Sequence, residues 1–259
     1  MALVLTEFKD MVGTLTLNHT AKRNALSALL IGEMVAGLDD LRSKRARVVI
    51  LRAPSGATVW SAGHHVAEMP RSGRDPLAYS DPLEQGIRAV RNFPAPVIAM
   101  IEGSVWGGAV ELTLCCDLRI ATPAATFALT PVKLGVPYNP AGILRIMNAI
   151  APQLVNEMFF TAAPIDAARA LAAGMVNHVV EAERIDDFTW QMAFRITEFS
   201  PRSIAVIKEQ LRLLRNAAPL SPETFERIQG LRRSVYDSRD YQEGRDAFLE
   251  RRKPVFTGD

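Results

Sequence analysis

Along the first 180 residues, short apolar runs alternate with longer amphipathic stretches. Residues 4–8 and 12–17 predict two strands joined around Gly13. Leu30, Met34, Leu38 and Leu41 then share one helical face, and Lys44, Arg45 and Arg47 close that segment where cations favour the end of a helix dipole. Residues 48–52, 96–100, 118–121, 126–129 and 175–180 read as further strands, with 59–65 a short extended piece. Between them 83–93, 109–117, 142–149, 154–160 and 162–172 read as helices. Three prolines make 131–140 too broken for regular structure. From 184 on only the helical period remains, over 184–199, 201–216, 222–236 and 240–252. Interleaved strands and helices followed by helices alone predict an α/β class. Residues 70–82, with three prolines, Arg71, Arg74, Asp75 and Asp81, read as a charged loop, either a lid or solvated surface.

Composition narrows the function classes. The 259 residues are 48% hydrophobic and 22% charged, with a net charge of +2, so nothing draws the chain as a whole to nucleic acid or an acidic membrane. Cys115 and Cys116 are adjacent, and with four histidines they build no obvious metal site; they read as small buried residues in a reducing compartment. No leader pattern is visible, and no apolar run approaches the roughly 20 residues that span a bilayer. The expectation is a cytoplasmic protein with no metal and no membrane partner.

The stretch Ile101-Glu102-Gly103-Ser104-Val105-Trp106-Gly107-Gly108-Ala109-Val110-Glu111 carries the sharpest chemical hint. A buried strand runs into it and a helix leaves it, which places Gly107 and Gly108 at a helix N-terminus. Amides there lack intrahelical partners, and glycine lets a ligand approach them. Such a corner suits an oxygen that becomes negative during a reaction. Two other segments are candidates to converge on it: Ser61-Ala62-Gly63-His64, and the loop from Thr130 and Pro131 to Tyr138.

Taken together, Lys22-Arg23-Asn24-Ala25-Leu26-Ser27, Trp60-Ser61-Ala62-Gly63-His64, Gly103-x-x-x-Gly107-Gly108-x-x-Glu111, Asp117-Leu118-Arg119-Ile120-Ala121 and the ending Phe248-Leu249-Glu250-Arg251-Arg252-Lys253-Pro254 resemble the enoyl-CoA hydratase/isomerase, or crotonase, superfamily. The strings Leu51-Arg52-Ala53-Pro54-Ser55-Gly56 and Thr130-Pro131-Val132-x-Leu134-Gly135-Val136-Pro137-Tyr138-Asn139 are most like its decarboxylating branch. The resemblance implies a crotonase, ClpP-like spiral of ββα units over 1–199 and a C-terminal helical trimerisation region over 200–259. It implies an acyl-CoA substrate, no separate cofactor, and assembly as a trimer or a dimer of trimers.

It also implies site roles. The amides of His64 and Gly108 form the oxyanion hole. Arg23, Ala25, Ala62, Gly63, Gly107 and Pro131 contact the substrate or its CoA, and Phe248 and Arg251 approach the CoA of a neighbouring subunit. The first of the hydratases' two catalytic glutamates falls on Glu111; the second falls on Pro131 and is missing. Adding water to a double bond wants a positioned acid/base pair, whereas decarboxylation of a malonyl-type thioester draws its electron pair from the substrate's own carboxylate. The implied activity is decarboxylation of methylmalonyl-CoA, with Thr130 and Tyr138 orienting the carboxylate by hydrogen bonds. A hydratase or isomerase of the same fold, and a non-catalytic binding protein on that fold, are the competing readings.

Overall fold

A computed structural model describes residues 2–70, 75, 77–215 and 221–258. Strands β1 (Val4–Lys9) and β2 (Val12–Leu17) form an antiparallel hairpin. Its turn lies at Asp10 and Met11, both at positive φ, and not at Gly13. Gly13 is a strand residue whose missing side chain makes room for Leu41: a Cβ there would lie 2.6 Å from two Leu41 carbons. Helix α1 (Ala28–Ser43) starts where the Ser27 hydroxyl accepts from the Leu30 amide, and it buries Leu30, Met34, Leu38 and Leu41 as their spacing predicts.

The chain then winds as a spiral. β3 (Val48–Arg52), β5 (Val97–Ile101), β7 (Leu118–Ala121) and β10 (His178–Val179) extend the hairpin into a six-stranded sheet ordered β1-β2-β3-β5-β7-β10. β4 (Val59–Ser61), β6 (Ser104–Trp106), β8 (Thr126–Ala128) and β9 (Ile165–Asp166) form a second sheet in that order. Each turn lays one strand in the large sheet and one in the small sheet before a helix returns it. Thus β3 and β4 precede α2 (Pro82–Arg91), and β5 and β6 precede α3 (Gly108–Leu114). The ββα spiral expected from the resemblance is present.

Two short strands escape the sequence pattern. β6 lies inside the glycine-bearing stretch, where three residues are too few to show a period. β9 displaces the start of the helix expected at 162: residues 165 and 166 pair with β8, and the Asp166 carboxylate caps α6 (Ala167–Ala172) by accepting from Arg169. Pro131–Leu134 forms a single 3-10 turn within the segment expected to be irregular. Helices α4 (Pro140–Met147) and α5 (Pro152–Thr161) follow it.

The main core lies between the sheets and α1 to α6. A second apolar cluster joins the other face of the large sheet, through Val48, Ile50, Ile98 and Ile120, to Ile185 and Ala193 of α7 (Ala182–Thr197). α8 (Pro201–Arg215), α9 (Pro222–Tyr236) and α10 (Arg239–Leu249) complete the chain. α8 buries none of its residues, and Leu214 is 72% exposed. Of the loop expected over 70–82, residues 71–74 and 76 lie outside those described. Asp75 forms a forked ion pair with buried Arg232 of α9, whose Nε also reaches the Pro137 carbonyl at 3.3 Å. Among the described residues no helix is long and apolar enough to cross a membrane.

Candidate active site

The loop at 22–26 and the end of β4 are fastened together by buried polar groups. The Asn24 side-chain amide donates to the Trp60 carbonyl at 3.0 Å, and its oxygen accepts from the His19 amide at 2.8 Å. The Ser61 hydroxyl donates to the Asn24 carbonyl at 2.7 Å, and the Ala62 amide to the Arg23 carbonyl at 2.9 Å. These bonds fix the path of Gly63 and His64. Gly63 has φ +83° and passes against the Trp106 carbonyl with no room for a Cβ. The β4–β6 pairing brings His64 beside the start of α3: a Cβ on Gly108 would lie 3.8 Å from the His64 nitrogen. Gly107, at φ +53° and ψ −123°, turns the chain from β6 into α3. Among the described residues neither the His64 nor the Gly108 amide donates to a protein acceptor. Two unpaired donors therefore flank one point, in the geometry that holds a developing oxyanion.

That point opens on a cavity of about 440 Å³. Of the residues singled out in the sequence, Arg23, Ala62, His64, Gly107, Gly108, Thr130, Pro131, Tyr138 and Phe248 line it. Ala25, Gly63 and Arg251 do not line it, and Arg251 is exposed on the chain after α10. Phe248 lines the cavity of its own chain because α10 packs on the 131–134 turn, where Gly244 passes too close to the Leu134 carbonyl for any side chain. Phe248 thus helps to close the cavity of its own polypeptide. Val66, Met69, Leu77 and Leu83, none of them anticipated as site residues, form apolar wall, and Lys133 joins Arg23 as a cationic side chain. The apolar residues resemble any other core residue in the sequence, and Lys133 sits in a segment with no period to read.

The side chain of His64 points its Nε2 at Asp81 Oδ2, 3.1 Å away, and leaves Nδ1 buried without a partner. Asp81 also caps α2 by accepting from the Leu83 amide at 2.8 Å, so a helix start orients the imidazole. The Thr130 hydroxyl caps no helix although Thr130 stands at the N-terminus of the 3-10 turn.

Glu111 takes an unexpected place. It is 1% exposed and lies outside the cavity lining. Its Oε2 accepts from the Tyr138 hydroxyl at 2.6 Å, and its Oε1 meets Arg145 Nη1 in an ion pair. Arg145 also forks onto Glu84, with both guanidinium nitrogens at 2.8 Å from its two oxygens. Burial raises the Glu111 carboxyl above the usual glutamate range against the pull of Arg145 and Tyr138. Burial, then the Glu111 charge, holds the Tyr138 phenol well above the ordinary tyrosine value. A phenol has one proton to donate. With that proton donated in a hydrogen bond to Glu111, Tyr138 offers the cavity only oxygen lone pairs. The hydrogen bond expected from Tyr138 to a substrate carboxylate is thus already committed to Glu111, and Thr130 remains the free hydroxyl donor.

The family described as enoyl-CoA hydratase/isomerase matches residues 7–259. The chain belongs to the enoyl-CoA hydratase/isomerase family. Within this family, methylmalonyl-CoA decarboxylase of Escherichia coli strain K12 is 53% identical over 249 residues, covering 96% of this chain and 95% of that protein. A solved structure of methylmalonyl-CoA decarboxylase complexed with 2S-carboxypropyl-CoA matches with a TM-score of 0.98 at 51% identity, over 100% of this chain and 99% of that one. Carnitinyl-CoA dehydratase of Citrobacter koseri is more distant, 31% identical over 244 residues with 92% of each chain covered. Of the two positions that the resemblance assigned to a hydratase's glutamates, Pro131 lines the cavity without a carboxylate and Glu111 is held by Arg145 and Tyr138.

Proposed function

We propose that the chain decarboxylates methylmalonyl-CoA to propionyl-CoA and CO2 through a thioester enolate. One observation carries this reading: the unpaired His64 and Gly108 amides face a cavity that, among the described residues, has no available carboxylate, since Pro131 stands in one place and Glu111 is sequestered in the other. The thioester oxygen accepts from both amides. The substrate carboxylate lies toward Pro131, Thr130 and Tyr138, out of the thioester plane, so that the C–C electron pair flows into the carbonyl as CO2 leaves. The amides hold the resulting charge, and losing one such donor costs ~10²–10³ in rate. The enolate carbon then takes a proton, giving propionyl-CoA. A glutamate at 131 would repel the substrate carboxylate, whereas proline leaves it poorly solvated and poorly paired, which raises the ground state relative to the transition state. The thioester is its own electron sink, so the reaction as drawn needs no cofactor beyond the CoA already in the substrate. Arg23 and Lys133 supply positive charge for CoA phosphates.

The apolar residues left exposed on α8, including Val206, Ile207 and Leu211, support assembly into a homo-oligomer, a trimer or a dimer of trimers. Incubating the purified protein with methylmalonyl-CoA tests the activity: CO2 release with stoichiometric propionyl-CoA is expected. Its absence would remove the reading.

A further inference from the structure

The Glu84–Arg145–Glu111–Tyr138 chain is more elaborate than neutralising one buried glutamate requires. Its members come from α2, α4, α3 and the turn before α4, far apart in sequence and joined end to end. Arg145 gives both terminal nitrogens to Glu84, at 2.8 Å each, and only Nη1 also reaches Glu111. The guanidinium fork is therefore occupied by Glu84, and Glu111 is held through Oε1 alone. That leaves Oε2 for the Tyr138 hydroxyl at 2.6 Å. Arg88 stands 3.7 Å from Glu84 and adds charge on its far side. Packing closes the arrangement at Gly142, where a Cβ would lie 2.5 Å from Tyr138 Cε1 and 2.8 Å from Glu111 Oε2.

The geometry points to Glu84 as a positioning residue for decarboxylation: by occupying the fork of Arg145 it reserves Glu111 Oε2 for Tyr138, and so keeps the Tyr138 hydroxyl from donating to the substrate carboxylate. Glu84 is 4% exposed and does not line the cavity, so it acts only through its neighbours. Without its charge, the guanidinium forks onto both oxygens of Glu111, as planar bidentate pairing favours. Tyr138 then shares Oε2 with the guanidinium, its hold on that acceptor weakens, and its proton turns toward the next anion, the bound substrate. A hydrogen bond made to the carboxylate before CO2 leaves is lost as the carboxylate becomes neutral. It stabilises the ground state and slows the reaction. The inference rests on the decarboxylase reading.

Steady-state kinetics of Glu84→Gln, alone and combined with Tyr138→Phe, test it. Glu84→Gln is expected to lower kcat about tenfold while KM for methylmalonyl-CoA falls, the signature of a ground state relieved of strain. Added to Tyr138→Phe, it is expected to change neither constant, because no hydroxyl remains to be released. Glu84→Asp, which keeps the charge on a shorter arm, is expected to retain most of kcat, and a loss as large as that of Glu84→Gln would count against the role; Glu84→Ala gives the same comparison with Tyr138→Phe if Glu84→Gln does not fold. A rise in KM, or a loss of kcat that persists undiminished in the Tyr138→Phe background, would overturn the positioning role while leaving the decarboxylase reading intact. A wild-type protein that releases no CO2 would remove that reading, and this role with it.

Discussion

At the scale of single residues, Glu111 shows how environment reassigns a side chain. Its place one helical turn after Gly108 is legible in the sequence, and the resemblance puts Pro131 where a hydratase would carry the partner glutamate. Its sequestration is not, because Arg145 lies 34 residues away and Glu84 is paired with Arg145 across 61, separations that no local pattern reports. The carboxyl has a measurable consequence. Its folded-state pKa is raised, by burial first, above the ordinary value of 4.5. The folded chain thus binds this proton more tightly than the unfolded chain does. The group favours folding most below pH 4.5, and that contribution is lost as pH climbs through the raised value. Glu111→Gln cannot titrate there. Its stability relative to wild type is expected to grow as pH rises from 4.5 toward neutrality, read from urea midpoints. A difference that stays flat across that range contradicts the raised value.

Among the elements, what positions the oxyanion hole is a set of short pieces tied by side chains. The large-sheet strands and long helices follow from their periods. β4 and β6 hold only three residues each, yet their pairing brings the His64 and Gly108 amides together. Asn24 secures one side of that junction. It is fully buried and sits at φ +50°, a conformation that asparagine tolerates better than alanine. Asn24→Ala strands the Trp60 carbonyl and the His19 amide without partners, so it is expected to cost about 3 kcal/mol in denaturant unfolding and to weaken substrate binding. Stability within about 0.5 kcal/mol of wild type would show that the junction does not depend on this side chain.

For the molecule as a whole, the ββα spiral and the C-terminal helices were legible because several ordered motifs at matching separations constrain a fold more tightly than any one of them. How α10 returns over its own cavity was not, since that depends on close backbone passages at Gly135 and Gly244. The exposed apolar side chains of α8 lead to an expected solution mass of three or six times 28.5 kDa by light scattering, and a stable monomer would contradict the assembly. The central claim is that this site breaks a carbon–carbon bond and does not add water. A competition assay tests it most directly: methylmalonyl-CoA and crotonyl-CoA at equal concentration in one vessel, followed by mass spectrometry. Propionyl-CoA accumulating while crotonyl-CoA persists is the predicted result; 3-hydroxybutyryl-CoA forming while methylmalonyl-CoA persists would contradict it.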